Sequence, residues 1–288
     1  MNARTLLGRK AMRGSLDVRK RAGSAFNAPI CVYDASEKLG IPVWFKGGGS
    51  FGGMYSKTNN AILVPSLRPA PRQVFTCAHE LGHWYFNHGT KLDEYEDGVA
   101  CRQKDEEESL ADLFAGHLLM PLTATSHAFK TRNINPNQCT EIEFYRVSCQ
   151  LGVGYTTLLH QMNRTHNAIS SSTFERLNKH SPKSIRESLL TALSEDPGHL
   201  VVADQWWENY PIDLQVGQVA LLPPNTAING VSVEIIHTTS PGILVQALCP
   251  GISSAESIIT SWANFIRVSR KDFEGRSIYR HLEEADDE

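Results

Sequence analysis

The chain has 288 residues, of which 41% are hydrophobic, and its formal net charge is −3. A chain of this length and composition can bury a sizeable core in two or three domains, which excludes a disordered tail. The near-neutral charge gives no global reason to expect a nucleic-acid or membrane partner.

Apolar stretches and cysteines both point to a cytoplasmic protein without a membrane partner. No apolar run reaches the roughly 18 residues of a membrane span, and charged residues interrupt any signal-peptide core near the N-terminus. The six cysteines are scattered without the spacings of a disulfide scaffold. We therefore expect reduced thiols in the cytosol.

The N-terminal segment is strongly basic. Its one acid is Asp17, and its cations are Arg4, Arg9, Lys10, Arg13, Arg19, Lys20 and Arg21. We interpret this segment as a solvated, partly frayed arm. The alternative is a contact surface for an anionic partner such as DNA.

Residues 33–64 predict a short helix and a β-hairpin. Residues 33–39 have a helical pattern that Gly40 ends, and strand-like residues 53–56 and 61–64 flank a turn. Either strand of this hairpin offers an edge for a substrate backbone. The glycine run at 47–49 lacks the strand-to-helix context of a phosphate-binding loop, so we reject nucleotide binding there.

The stretch "FTCAHELGHWYFNH" at 75–88 carries the motif H-E-x-x-H. On a helix, His79 and His83 lie about 40° apart and one turn above the other, so both imidazoles can bind one ion. Glu80, about 100° from His79, lies beside that ion and can accept a proton from zinc-bound water. Zinc lowers the pKa of such water to about 7. The alternative is an incidental histidine-rich helix.

A second helix over 105–119 supplies the best candidate for a third zinc ligand, Glu108. Asp112 follows four residues later on the same face, where it can hydrogen-bond the outer nitrogen of a liganding histidine. Glu106 and Glu107 are alternatives, but neither has an acid four positions on. The other interpretation of these acids is a solvated helix start.

Angular counting places other side chains away from the metal. His88 should pack or face solvent, Cys77 should be a small buried hydrophobe, and His117 should face away. Cys101 differs, because it lies in the loop between the two ligand-bearing helices. We expect that its thiolate can occupy the open zinc position and inhibit the enzyme; the alternative is an ordinary loop cysteine.

The region after Pro121 is predicted to be helical, with a helix-turn-helix shape around the turn 151–154 and a second helix from Tyr155. One alternative function is therefore a DNA-binding transcription regulator, or a sensor scaffold, with a structural metal site. Residues 155–162 contain no Lys or Arg, although phosphate contacts need several cations. We interpret the motif as a structural corner between helices.

From about residue 181 the chain becomes rich in short β-type runs. One amphipathic helix at 182–193 precedes runs such as "HLVVAD" and "QVALLP", and turn signals separate these runs. We predict a small antiparallel β domain, followed by a terminal helix with an acidic tail over 276–288. Its aromatic residues form either a core or a stacking platform for bases; these are Trp206, Trp207 and Tyr210.

Two motifs resemble the ImmA/IrrE family of M78-type metallopeptidases. They are "RQVFTCAHELGH" at 72–83 and "ESLADLFAGHLLMP" at 108–121, and the resemblance covers roughly 28–167. It implies that His79, His83 and Glu108 bind zinc and that Glu80 is the catalytic base. Asp112 stands where many members carry Asn.

The resemblance implies an α+β fold and a regulatory function. We expect a zincin-like metallopeptidase domain at 1–122, a helix-turn-helix-like extension at 123–180 and a β-rich sensor domain at 181–288. The family cleaves helix-turn-helix transcriptional repressors and so relieves repression under stress. Its CapP-type subgroup in antiphage operons is similar in size and is activated by single-stranded DNA.

Overall fold

The structure is a computed structural model that describes residues 3–48, 51–89, 92–94, 105–190, 198–208, 210–239 and 242–282. The fold is α+β, and the chain forms two compact units. The first unit comprises residues 1–128, 151–153 and 272–278; the second comprises 129–150, 154–271 and 279–288. The domain boundaries at 122 and 180 stay predictions.

The first unit contains the helices around the histidine motif. They are α1 (Ala3–Arg21), α2 (Val32–Lys38), α3 (Ala70–Tyr85) and α4 (Glu106–Leu119), and α5 (Leu122–Thr131) runs from the first unit into the second. Gly40, at a φ of 79°, follows the end of α2, a conformation that glycine adopts without strain. Asp105 caps α4 by accepting a hydrogen bond from the Glu107 backbone N–H. The predicted helices at 33–39 and 105–119 are confirmed as α2 and α4.

The sheet of the first unit has the strands β1 (Val43–Lys46), β2 (Phe51–Ser56), β3 (Ala61–Pro65), β4 (Leu92–Glu94) and β13 (Gly275–Arg276). Their order in the sheet is β13-β1-β3-β2-β4. β1 and β3 are parallel, whereas the pairs β2–β3, β2–β4 and β1–β13 are antiparallel. The predicted hairpin is confirmed as β2 and β3.

The N-terminal segment is a packed helix, so the prediction of a frayed arm is wrong. Arg19 is fully buried, and its guanidinium donates to the carbonyl oxygens of Leu118 at 2.9 Å and Ala25 at 2.6 Å. α1 also passes close to the end of α3, because a Cβ at Gly14 would lie 2.7 Å from the Tyr85 ring. Long-range contacts therefore hold α1 in place.

The C-terminal segment also differs from the prediction. In place of the predicted terminal helix, β13 pairs with β1, and a 3-10 turn follows at Ser277–Tyr279. The Arg276 guanidinium donates to the Glu37 carboxylate at 2.7 Å. The chain thus returns to the first unit and completes its sheet; residues 283–288 lie outside the described residues.

The helices of the second unit are α6 (Glu141–Gln150), α7 (Tyr155–His160), α8 (Ser171–Asn178) and α9 (Pro182–Leu189). α7 continues as a π-helical turn, Gln161–Thr165. Two contacts join residues of the helical part of this unit to its β-rich part. Arg132 makes a bidentate ion pair with Asp204 at 2.7 Å, and the Tyr145 hydroxyl donates to Leu200 O at 2.7 Å.

The β-rich part of the second unit has the strands β5 (Leu200–Val202), β6 (Ile212–Gln215), β7 (Val219–Leu222), β8 (Thr226–Asn229), β9 (Val233–Thr239), β10 (Gly242–Ala247), β11 (Gly251–Ser257) and β12 (Ala263–Ser269). They form two four-stranded sheets with the orders β5-β7-β10-β9 and β6-β12-β11-β8. The pairs β5–β7 and β6–β12 are parallel, so the predicted antiparallel arrangement is only partly right. Both sheets contribute to one core.

The two tryptophans of the predicted stacking platform differ in burial. Trp207 is buried in the core of the second unit, where its indole N–H donates to Tyr210 O at 2.7 Å. Trp206 is exposed. In the part of the chain that the structure describes, no helix is long and apolar enough to cross a membrane.

Candidate metal centre

Helix α3 is the central helix of the first unit. Residues 77–83 are all buried, and α3 contacts α2, α4, β2 and β3. The side-chain amide of Gln73 anchors the first turn by donating to the carbonyl oxygens of Ser66 at 2.6 Å and Arg68 at 2.8 Å. A helix covered in this way holds its side chains in fixed positions.

The side chains of His79, His83 and Glu108 converge, with ligand atoms that all lie within 4.8 Å of one another. The Nε2 atoms of the two histidines are 3.0 Å apart. The Glu108 carboxylate lies 3.2 Å from Nε2 of His79 and 3.6 Å from Nε2 of His83. Both imidazoles are buried, whereas Glu108 is partly exposed, so the cluster is open on the side of the carboxylate.

A close approach of α3 and α4 brings Glu108 to the histidines. A Cβ on Gly82 would lie 3.0 Å from the Phe114 ring and 3.2 Å from the Cα atom of Ala111. A larger residue at this position would therefore push the two helices apart. The H-E-x-x-H motif accepts any residue at position 82, but the packing of α3 against α4 favours glycine there.

The donor set fits zinc. Zinc ligands in proteins are imidazole nitrogens, thiolates and carboxylates, and a catalytic site has three protein ligands and an open fourth position. Two ligand atoms at about 2.0–2.2 Å from a tetrahedral ion lie about 3.3–3.6 Å apart. The observed separations of 3.0, 3.2 and 3.6 Å are close to this range, so small side-chain adjustments would allow one ion to bind all three residues.

Glu80 lies beside the cluster and outside it. Its side chain is buried, and strand β2 passes directly over its carboxylate. A Cβ at Gly53 would lie 2.8 Å from Glu80 Oε1 and would clash with the Thr76 side chain. Gly53 therefore lets the strand approach the Glu80 carboxylate more closely than a residue with a side chain would allow.

Asp112 contacts the outer nitrogen of His79, since its Oδ1 lies 3.0 Å from Nδ1 of that ring. Burial alone would lower the pKa of His79, but the hydrogen bonds with Asp112 and Glu108 and the charge of Glu80 raise this pKa to about 10. Hydrogen bonds with His79 and His83 in turn hold the pKa of Glu108 well below its usual range. The cluster therefore favours a protonated His79 next to an ionised Glu108.

Zinc binding to metal-stripped protein is expected to release about one proton at pH 7, because a histidine must lose its extra proton before its imidazole can bind a metal. The raised pKa of His79, about 10, means that this ring carries a proton at pH 7. Zinc affinity should therefore rise with pH, by about tenfold per unit between pH 6 and 8. Calorimetry in buffers of different ionisation enthalpy measures the released proton.

The control for proton release is Asp112→Asn. This substitution removes one of the carboxylates that raise the pKa of His79, so the rise of zinc affinity with pH should level off at a lower pH than in the wild-type protein. Zinc binding without proton release by the wild-type protein would mean that His79 is neutral at pH 7.

Other predicted residues have different outcomes. Cys77 is buried, as expected for a small hydrophobe, and His117 is buried and lies outside the cluster found among the described residues. Cys101 lies outside the described residues, so its inhibitory role stays a prediction.

His88 is the residue of the site that sequence analysis misses. His88 is buried, so the expectation that it packs is confirmed, but its expected position away from the histidine pair is wrong, because its Nδ1 atom lies 2.9 Å from Nδ1 of His83. The angular count assumed an uninterrupted helix, but α3 ends at Tyr85, and Asn87 has a φ of 57°. Asn tolerates this left-handed conformation at helix ends, so Asn87 was the available signal for a chain reversal.

The predicted elements around the turn 151–154 are present as α6 and α7. Tyr155, Leu158 and Leu159 of α7 are buried, so half of this six-residue helix packs inside the unit. Residues 155–163 also contain no Lys or Arg. The burial and the missing cations both disfavour α7 as a DNA-recognition helix. The metal centre is the stronger candidate for function.

Comparison with known families gives the same result as the geometry. Residues 36–162 match the family model Peptidase_M78, the IrrE N-terminal-like domain. These residues form an M78-type domain of the ImmA/IrrE kind. The M78 match includes α3 and α4 and hence all three residues of the cluster. A domain of this type indicates a metallopeptidase with protein substrates, typically dependent on zinc. No curated protein matches the chain.

Proposed function

We propose that this protein is a zinc-dependent endopeptidase that cleaves a helix-turn-helix transcriptional repressor under stress, with single-stranded DNA as the activator. The observation that carries the peptidase part is the convergence of His79, His83 and Glu108 within an M78 domain, with Glu80 beside them. The repressor and the DNA come from the resemblance to stress-responsive members of the ImmA/IrrE family.

Each residue of the centre has a distinct role in the proposed reaction. The two imidazoles and the Glu108 carboxylate would hold zinc, which supplies Lewis-acid activation of a water nucleophile and of the scissile carbonyl. The Glu80 carboxylate accepts the proton of the attacking water and delivers it to the leaving amine nitrogen. Asp112 orients His79 through Nδ1.

Strand pairing limits where the substrate can bind. β3 already pairs with β1 and β2, so it offers no free edge to a substrate, contrary to expectation. The other edge of β2, the strand that lies over Glu80, pairs with β4 at Phe51 and Met54. An extended substrate could therefore add to β2 at these positions only by displacing β4.

Helix α1 is the best surface of the described chain for the proposed DNA contact. Its exposed cations lie within about 120° of one another around the helix axis; they are Arg9, Lys10, Arg13, Lys20 and Arg21. Asp17 is the one acid of this helix and lies 3.8 Å from Arg21. A cationic stripe suits a phosphate backbone, whereas the burial of Trp207 removes one of the three residues of the alternative stacking platform.

The test mixes the purified protein with the helix-turn-helix repressor encoded beside its gene, with and without single-stranded DNA, and detects cleavage by mass spectrometry. We expect a discrete cut only when DNA is present. A cut without DNA would retain the peptidase and reject the DNA switch. Intact repressor in both conditions, with zinc bound, would reject this substrate.

A charge variant tests the DNA surface on α1. Changing Arg9, Arg13 and Lys20 to Gln should raise the DNA concentration needed for cleavage. A matched variant with Lys57, Lys179 and Lys183 changed to Gln loses the same charge at exposed positions elsewhere, and it should resemble wild type. Equal shifts in both variants would point to net charge and not to a site on α1.

A further inference from the structure

The imidazole of His88 lies against the metal-facing side of α3. After α3 ends, the left-handed Asn87 reverses the chain, and the His88 backbone N–H donates to His83 O at 2.9 Å. This return places the two rings 5.0 Å apart, with an Nδ1 to Nδ1 distance of 2.9 Å. Both rings are buried.

Two ring nitrogens at this distance share one proton, so one ring donates and the other accepts. When Nε2 of His83 gives its lone pair to a metal, the proton of that neutral imidazole lies on Nδ1. His83 must then donate, and Nδ1 of His88 must accept. The tautomers of both rings follow from this single requirement.

We propose that His88 is a positioning residue that fixes the tautomer and the direction of His83 for metal binding. This inference rests on the proposed metallopeptidase function. Asp112 stands in the corresponding place for His79, at 3.0 Å from its Nδ1. Both histidines would thus have a buried or partly buried acceptor at the outer nitrogen, which orients a ligand and raises its basicity.

Aromatic packing holds the His88 ring in the position that this role needs. The ring stacks on Phe86 with centroids 5.8 Å apart, and Phe86 meets Phe114 of α4 edge to face at 5.7 Å. The simpler interpretation is that His88 only fills space in this aromatic cluster. The two interpretations differ in one property, the acceptor nitrogen.

An isosteric pair of variants separates the acceptor from the packing. His88→Asn places an amide oxygen near the position of Nδ1, whereas His88→Leu has nearly the same shape as Asn without an acceptor. His88→Phe retains a ring for packing and also lacks an acceptor. Each protein is stripped of metal, and zinc affinity is measured by competition with a chromogenic chelator. The visible spectrum of the cobalt-substituted protein reports the ligand geometry.

We expect His88→Leu and His88→Phe to bind zinc about 10–100-fold more weakly than wild type, with altered cobalt spectra. His88→Asn should bind more tightly than His88→Leu and restore most of the wild-type spectrum. Wild-type zinc affinity in the two acceptor-free variants, or equal affinity in the Asn and Leu variants, would overturn the proposal. Wild-type protein that binds neither metal would instead overturn the proposed function.

Discussion

Glu80→Gln is expected to slow peptide cleavage by about 10²–10⁴-fold, the usual contribution of a general acid or base, while zinc content stays at the wild-type level. Glu80 is buried beside the metal cluster and outside it, with the backbone of Gly53 over its carboxylate. Glutamine keeps the size of the side chain but cannot accept the proton of the attacking water. The cleavage rate should therefore fall while the zinc content does not change.

The measurements are the initial cleavage rate of the repressor under activating conditions and the zinc content of the same preparation. Glu106→Gln is the matched control, because Glu106 is an exposed carboxylate at the start of α4; it should cleave at the wild-type rate. A Glu80→Gln protein that cleaves normally would show that this carboxylate is not the base. Loss of zinc from it would point to a structural role.

Local patterns predicted the elements that carry the metal centre. α3 and α4 have clear start signals: Pro69 precedes α3, Pro71 lies in its first turn, and Asp105 caps α4. Four-residue spacing then predicted that Glu108 and Asp112 share a face. Their distance from α3 was not predictable, because it depends on the contact of Gly82 with Ala111 and Phe114.

Elements held by distant contacts were predicted badly. α1 depends on the Arg19 side chain, whose hydrogen bond to Leu118 spans 99 positions in the sequence. β11 contains the small residues Ser253 and Ala255, which have little local strand preference, but pairing with β8 and β12 on both sides defines it. β13 comprises only Gly275–Arg276, and its partner β1 lies near the other end of the chain.

Glu108→Gln is expected to remove zinc from the purified protein. Glu108 is the one carboxylate in the cluster found among the described residues. The side-chain amide of the glutamine that replaces it is neutral and a poorer zinc ligand. Replacing residues that only orient a metal ligand weakens zinc binding by about 10–100-fold, so replacing a ligand should weaken it by more than about 100-fold. Metal analysis after dialysis against a weak chelator measures this loss.

Glu106 and Glu107 provide the comparison, because all three acids occupy the first turn of α4. Glu106→Gln and Glu107→Gln change the charge near the helix start by the same amount, so any general electrostatic effect on zinc should appear in them equally. We expect both to retain zinc, since the cluster found among the described residues contains Glu108 and neither of these two acids. Zinc loss in either of them, with zinc retained in Glu108→Gln, would move the third ligand to that position.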